Sequence, residues 1–224
     1  SSAAASAYEA LADAFRAQYL GRPEAPVPFG GRHEELTRLN EWLDDPRAPS
    51  YRIVAAPAGR GKSALLVRWA ESLKGRSDLA VVFFPISIRF NTNLAGVGFA
   101  SLALQLARLH GESLHMQFDT PALIWRATVT RYLTRPLPDG RRLVLILDGL
   151  DEAADWHAGP DLFPHGLPGP SRVLASARLL EPHSEARSWL VRLDLNRPGL
   201  AVAHDLPPLT RSGITDVLLG MQSP

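Results

Sequence analysis

Tyr51-Arg52-Ile53-Val54-Ala55-Ala56-Pro57-Ala58-Gly59-Arg60-Gly61-Lys62-Ser63 is the stretch on which the fold turns. An apolar run of strand character ends in a loop of small residues, and a helical pattern then runs over 62–74 and stops at Gly75. Strand, glycine-bearing loop and helix in that order build a phosphate cradle. Backbone N–H groups curl round the anion, and the first helical turn presents its positive end to it. Glycine at 59 and 61 permits backbone angles and a close approach that a side chain would prevent. Lys62 supplies a mobile charge for β- and γ-phosphates, and the Ser63 hydroxyl can ligate Mg²⁺. The predicted cradle comprises Ala58, Gly59, Arg60, Gly61, Lys62, Ser63 and Ala64. Ala56 opens the pattern where glycine is usual, and alanine is small enough to keep the turn. A plain glycine turn before a helix is the alternative, and the flanking strand and helix weigh against it.

Downstream, Leu143-Val144-Leu145-Ile146-Leu147 delivers Asp148-Gly149-Leu150-Asp151-Glu152 at the end of a fully apolar strand. Open α/β sheets bind ligands outside the carboxyl ends of their strands, so Asp148 is expected beside the cradle as a second Mg²⁺ holder. Asp151 and Glu152 follow closely enough to reach an attacking water, and either can serve as its base, with Asp151 the slightly favoured one. Taken alone, Asp148-Gly149 could be a tight turn and Asp151-Glu152 a helix cap. The upstream cradle favours the metal reading, because the two motifs meet at one cation.

Around these motifs, short apolar runs at 51–55, 79–86, 142–147, 171–176 and 189–193 alternate with helical patterns at 62–74, 95–110 and 120–134, the last with Thr120 as cap and Pro121 in its first turn. Strands without polar alternation belong to a sheet buried on both faces, hence a parallel α/β fold. Residues 1–6 are expected to be a disordered end. Tyr8, Leu11, Phe15 and Tyr19 predict a helix stopping at Gly21, with a proline-rich linker through Pro28. A further helix is expected over 32–43 and a short one over 212–221, and residues 155–170 read as an irregular surface loop. The expected domains are 1–28, helix and linker; 29–205, the nucleotide-binding domain; and 206–224, the start of a helical domain in a longer protein.

Hydrophobic residues make up 46% of the 224, enough for a large core, and the formal net charge is +1 with arginines scattered. Scattered charge argues against a nucleic-acid partner. Lys62 and Lys74 are the only lysines, so lysine at 62 runs against the composition. No cysteine is present, which excludes disulfides and thiolate chemistry. Neither a leader nor a membrane span is visible, which gives a cytoplasmic expectation. His110, His115, His157 and His165 have no spacing suited to one metal. Trp42, Trp69 and Trp125 are expected in the core.

Asp148-Gly149-Leu150-Asp151-Glu152 resembles the acidic motif of the NACHT group within the STAND class of signalling ATPases. There, a small residue follows the first aspartate and two acids come later. Phe29-Gly30-Gly31-Arg32-His33-Glu34-Glu35-Leu36 is similar to the box that precedes the phosphate loop in STAND and AAA-type ATPases, which places Arg32 near the adenine. Ser171 to Arg178 resembles the family's following strand, and Arg178 inherits the role of sensor near the γ-phosphate. Leu206-Pro207-Pro208-Leu209-Thr210 resembles the entry to the family's helical domain. The resemblance implies a three-layer P-loop NTPase with a five-stranded parallel sheet in the order 5-1-4-3-2, ATP or ADP with Mg²⁺ as cofactors, slow hydrolysis, a nucleotide-gated switch and nucleotide-dependent homo-oligomers. A AAA-type motor or loader acting on DNA or protein is the alternative, and a non-hydrolysing scaffold a third.

Overall fold

A computed structural model describes residues 2–115 and 119–222, with side chains at 9–115 and 119–221. The elements run α1 (Ser2–Leu20), β1 (Gly21–Arg22), β2 (Ala25–Pro26), α2 (His33–Asp44), β3 (Tyr51–Ala55), α3 (Lys62–Ser72), β4 (Leu79–Pro85), α4 (Ala95–Leu109), α5 (Ala122–Leu133), β5 (Arg142–Asp148), β6 (Arg172–Ala177), α6 (Arg187–Arg192), β7 (Ala201–Asp205) and α7 (Arg211–Gln222). Strands β4-β5-β6-β3-β7 form one five-stranded sheet in that order, every neighbour parallel. With the phosphate-loop strand counted as first, this is the order 5-1-4-3-2, as the resemblance implied. Because all five run the same way, Ala55, Pro85, Asp148, Ala177 and Asp205 share one edge of the sheet.

Period-two alternation assigns alternate strand residues to opposite faces. Val54, Val144, Ile146 and Leu174 pack with Leu39, Trp42, Leu65 and Trp69 from α2 and α3. Ile53, Leu145, Leu147 and Val173 pack with Phe99, Leu106, Trp125, Tyr132 and Trp189 from α4, α5 and α6. Two helical layers thus sandwich the sheet, and all three tryptophans expected in the core are buried. Helix α1 contacts β4, α3 and α4, so it lies along the open side of the outermost strand. It also covers a ladder edge that would otherwise be free.

Four expectations change. The run 189–193 is not the fifth strand: its first four residues lie in α6, and the strand is β7, twelve residues after the run begins. A five-residue apolar run cannot be told from a buried helical turn by periodicity. Ala201-Val202-Ala203-His204-Asp205, half-buried at a sheet edge, carries a weaker apolar signal. The end expected to be disordered over 1–6 is helical from Ser2, since Ala3, Ala4 and Ala5 are strong helix formers; the side chain of Tyr8 lies outside the described residues. Helix α5 begins at Ala122, because Pro121 is extended at ψ 143° and no side chain caps it. Within 155–170, Ala158, Leu162 and Phe163 are buried, so that irregular segment contributes core, with Phe163 packed on Tyr51.

Trp189 tests the reassigned helix. Its ring is 1% exposed, and its Nε1 donates to the Arg178 carbonyl at 2.7 Å. Trp189→Ala is expected to cost about 3–5 kcal/mol by urea unfolding. Val191→Ala, on the outward side of α6, should cost less than about 0.5 kcal/mol. Equal effects would mean that α6 is not packed as described.

Candidate functional site

The chain turns out of β3 into the loop 56–61, and α3 starts at Lys62 with Gly61 preceding it at φ +84°. Gly59 stands at φ +77°, and a Cβ at either glycine would meet nothing within 4 Å. Left-handed backbone is therefore the reason for glycine at both, and the space in front of the loop is open. The Lys62 ammonium folds back across the loop, donating to the carbonyls of Ala56 at 2.9 Å and Pro57 at 3.1 Å. Burial lowers its pKa, against the nearby carboxylates of Asp151 and Asp148, which raise it.

Asp148 ends β5 and is 4% exposed. The Ser176 hydroxyl, on the neighbouring strand β6, donates to its Oδ1 and accepts the Gly149 N–H at 3.0 Å. The Ser63 hydroxyl also reaches the Asp148 carboxylate. Burial pushes the carboxyl above its usual range, although both hydroxyls and Lys62 pull the other way. A buried carboxylate that meets two hydroxyls and, among the described residues, no guanidinium or ammonium hydrogen bond is short of positive charge, which is what a bound cation would supply.

Asp151 and Glu152 sit in a short turn, Leu150–Glu152, but face different partners. Asp151 accepts the Arg178 backbone N–H at 2.8 Å and pairs with the Arg178 Nε at 3.2 Å. Glu152 has its carboxyl raised by burial first, then by Asp151 and Asp148. Lys62, Ser63, Asp148, Asp151, Glu152 and Arg178 all border one cavity of about 400 Å³, together with Ala58 to Gly61 and Ala64.

Arg32 lies apart from that cavity and borders a second trough of about 460 Å³, which shares Gly59, Arg60, Gly61 and Ala64 with the first and reaches Phe29, Leu209 and Val217. Its guanidinium is 4% exposed and bound to Glu35 Oε1 at 3.0 Å, the Pro207 carbonyl at 2.9 Å and the Arg60 carbonyl at 2.8 Å. The side chain fastens the phosphate loop to its surroundings. Gly31 explains the glycines of its box: a Cβ there would stand 2.3 Å from the Cα of Gly213, so the box and α7 touch backbone to backbone.

Several residues at the first cavity carry no local motif, Ser176, Phe15 and Tyr19 among them. Ser176 was inside the strand expected after the acidic motif, yet its contact with Asp148 follows only from the β5–β6 pairing. Phe15 and Tyr19 belong to α1 and line the cavity from the far side, with the Tyr19 hydroxyl in hydrogen-bonding reach of Ser63. No signal in residues 8–20 points to a site.

Among the described residues no three of His, Asp or Glu converge as a metal cage. The oxygen donors of Ser63 and Asp148 instead fit Mg²⁺, which binds through one or two carboxylates and completes its shell with phosphate and water. Among the same residues no helix is long and apolar enough to cross a membrane.

The model of a family described as Nephrocystin 3, N-terminal, matches residues 34–165, from α2 through the cradle and the acidic motif. No curated protein sequence matches the chain. Among solved structures, the crystal structure of Cdc6p from Pyrobaculum aerophilum is similar at 17% identity and a TM-score of 0.56, covering 91% of this chain and 52% of that one. The structure of Drosophila ORC bound to DNA is similar at 15% identity and a TM-score of 0.56, covering 93% and 50%. The chain thus spans about half the length of either, and the likeness is one of fold.

Proposed function

We propose that this chain, which belongs to the nephrocystin 3 N-terminal family and has the fold of a P-loop NTPase of the NACHT/AAA type, binds ATP or ADP with Mg²⁺ at the first cavity, hydrolyses ATP slowly and acts as a nucleotide-gated switch. The observation that carries this reading is the convergence of Lys62 and Asp148 on one cleft in front of left-handed glycines. Phosphates lie in the loop 58–64, held by backbone N–H groups and Lys62. Ser63 and Asp148 hold the cation, with Ser176 keeping the Asp148 carboxylate oriented. Mg²⁺ there would offset the charge that builds on the phosphates. The trough beyond Arg60, apolar at Phe29, Leu209 and Val217, suits the nucleoside. Residues 29–205 act as the nucleotide-binding domain, 1–28 as a preceding arm and 206–224 as the entry to a helical domain. In this reading the protein works in the cytoplasm and forms homo-oligomers when nucleotide changes.

The acid that handles water is Glu152. Its raised pKa suits a proton acceptor, whereas Asp151 is engaged by Arg178 and acts by fixing that arginine near the terminal phosphate. In single-turnover assays Glu152→Gln is expected to slow hydrolysis about 100-fold with nucleotide affinity unchanged, and Asp151→Asn about tenfold. Wild-type turnover in Glu152→Gln would remove the assignment. A wild type with no hydrolysis above background would leave a binding scaffold.

The likeness to an ORC structure described as bound to DNA favours a second reading, a AAA-type motor or loader acting on DNA or protein. The charge balance gave a contrary expectation about nucleic acid, and the likeness lends that expectation no support. Stimulation of ATP turnover by duplex DNA would favour the loader.

A further inference from the structure

Helix α1 forms a wall of the cavity. Ala12 is buried in the core, and the Phe15 ring packs 5.9 Å from Phe83, 6.1 Å from Phe90 and 5.2 Å from Tyr19. The end of the helix is tied down where Arg68, on α3, donates to the carbonyls of Tyr19 and Val27. These contacts fix the direction of Tyr19. Its ring is half-buried, and it borders the cavity that Ser63, Asp148 and Glu152 also line, with its hydroxyl on the side of Ser63. A phenol carries its proton at neutral pH and is available as a donor. Packing against Phe15 requires only a ring, and phenylalanine would supply it. Among the described residues, the polar side of the cavity is what calls for the hydroxyl.

We propose that Tyr19 is a nucleotide-contacting residue supplied from outside both motifs, its hydroxyl donating a hydrogen bond to the terminal phosphate of a bound triphosphate. The inference rests on the nucleotide reading above and adds to it a means of discrimination. A diphosphate lacks the terminal phosphate to which the Tyr19 hydroxyl donates, so α1 is held to the domain by one more bond when a triphosphate is present. The arm then reports which nucleotide is bound.

Tyr19→Phe in the full chain removes the hydroxyl and keeps the ring. Titration calorimetry with Mg²⁺ and a non-hydrolysable ATP analogue should show affinity reduced about tenfold, with ADP affinity changed less than about twofold. Phe15→Leu, which leaves the Tyr19 hydroxyl in place, should lower Tm while keeping the ratio of the two affinities. Equal losses for both nucleotides in Tyr19→Phe, or none, would overturn the inference and leave nucleotide binding standing. A wild type that binds neither nucleotide would remove both.

Discussion

Lys62→Ala is expected to weaken Mg–ATP and Mg–ADP binding at least about 100-fold, the loss of a charge-assisted contact to phosphate of roughly 3 kcal/mol. The free protein should tolerate the change. The ammonium is half-exposed and, among the described residues, hydrogen-bonds the carbonyls of Ala56 and Pro57, so its removal opens no core cavity, and the loss of its charge near Asp148 is a small cost beside the lost phosphate contact. Calorimetric titration reads the affinity, and the unfolding temperature of the free protein serves as the control. Lys62→Arg should not restore binding, since a planar guanidinium cannot replace a compact ammonium folded across this loop. If Lys62→Ala kept its affinity within about threefold, the loop would not be a phosphate cradle.

Asp148→Asn is expected to move stability and function in opposite directions. Burial raises this carboxyl, so the folded chain holds its proton more tightly than the unfolded chain does. The stability this contributes is full below the unfolded pKa and is lost as pH rises through the higher folded value. At neutral pH the ionised group is therefore a cost to the free protein, and asparagine removes it. The free variant should match or exceed wild type by about 1 kcal/mol near pH 7. Metal binding has the reverse sign because it requires the carboxylate, so Mg²⁺-dependent nucleotide affinity in wild type should fall as pH drops toward the raised pKa. In Asp148→Asn the Mg²⁺-dependent part should be lost at every pH. Thermal melts with and without Mg–ATP, from about pH 5 to about pH 8, measure both effects. A free variant less stable by more than about 1 kcal/mol would show that the carboxylate is structural.

Both motifs were legible because each is local: the cradle needs thirteen consecutive residues and the acidic end ten, and no distant partner is required to recognise either. Strand order came from resemblance, and the register of β3 against β6 and β7 bears it out. What escaped was long-range or weakly patterned. Strand β7 sits at an edge, half-buried, so its sequence lacks the continuous apolar run of β5. Ser176 is a small polar residue in a strand that is apolar from Val173 to Ala175, and its value appears only when β5 is laid beside it. Tyr19 and Ser63 are brought together by α1 packing on α3, which no spacing rule anticipates. Arg32 was expected near the adenine on family grounds, and it borders the trough proposed for the nucleoside; its three protein partners, which no motif announces, give it a fastening role besides.

That fastening has a mechanical consequence. One guanidinium clamps the start of α2, the carbonyl of Arg60 and the carbonyl of Pro207, so three segments far apart in sequence share a single rivet. Pulling the 206–210 segment away would leave a buried cation short of an acceptor, at roughly 1–3 kcal/mol. Gly31 and Gly213, backbone against backbone, leave no slack at the same joint. A tug on the stem of α7 is thus transmitted to the Arg60 carbonyl as a rigid linkage, a lever whose short arm ends at the bend that grips the anion.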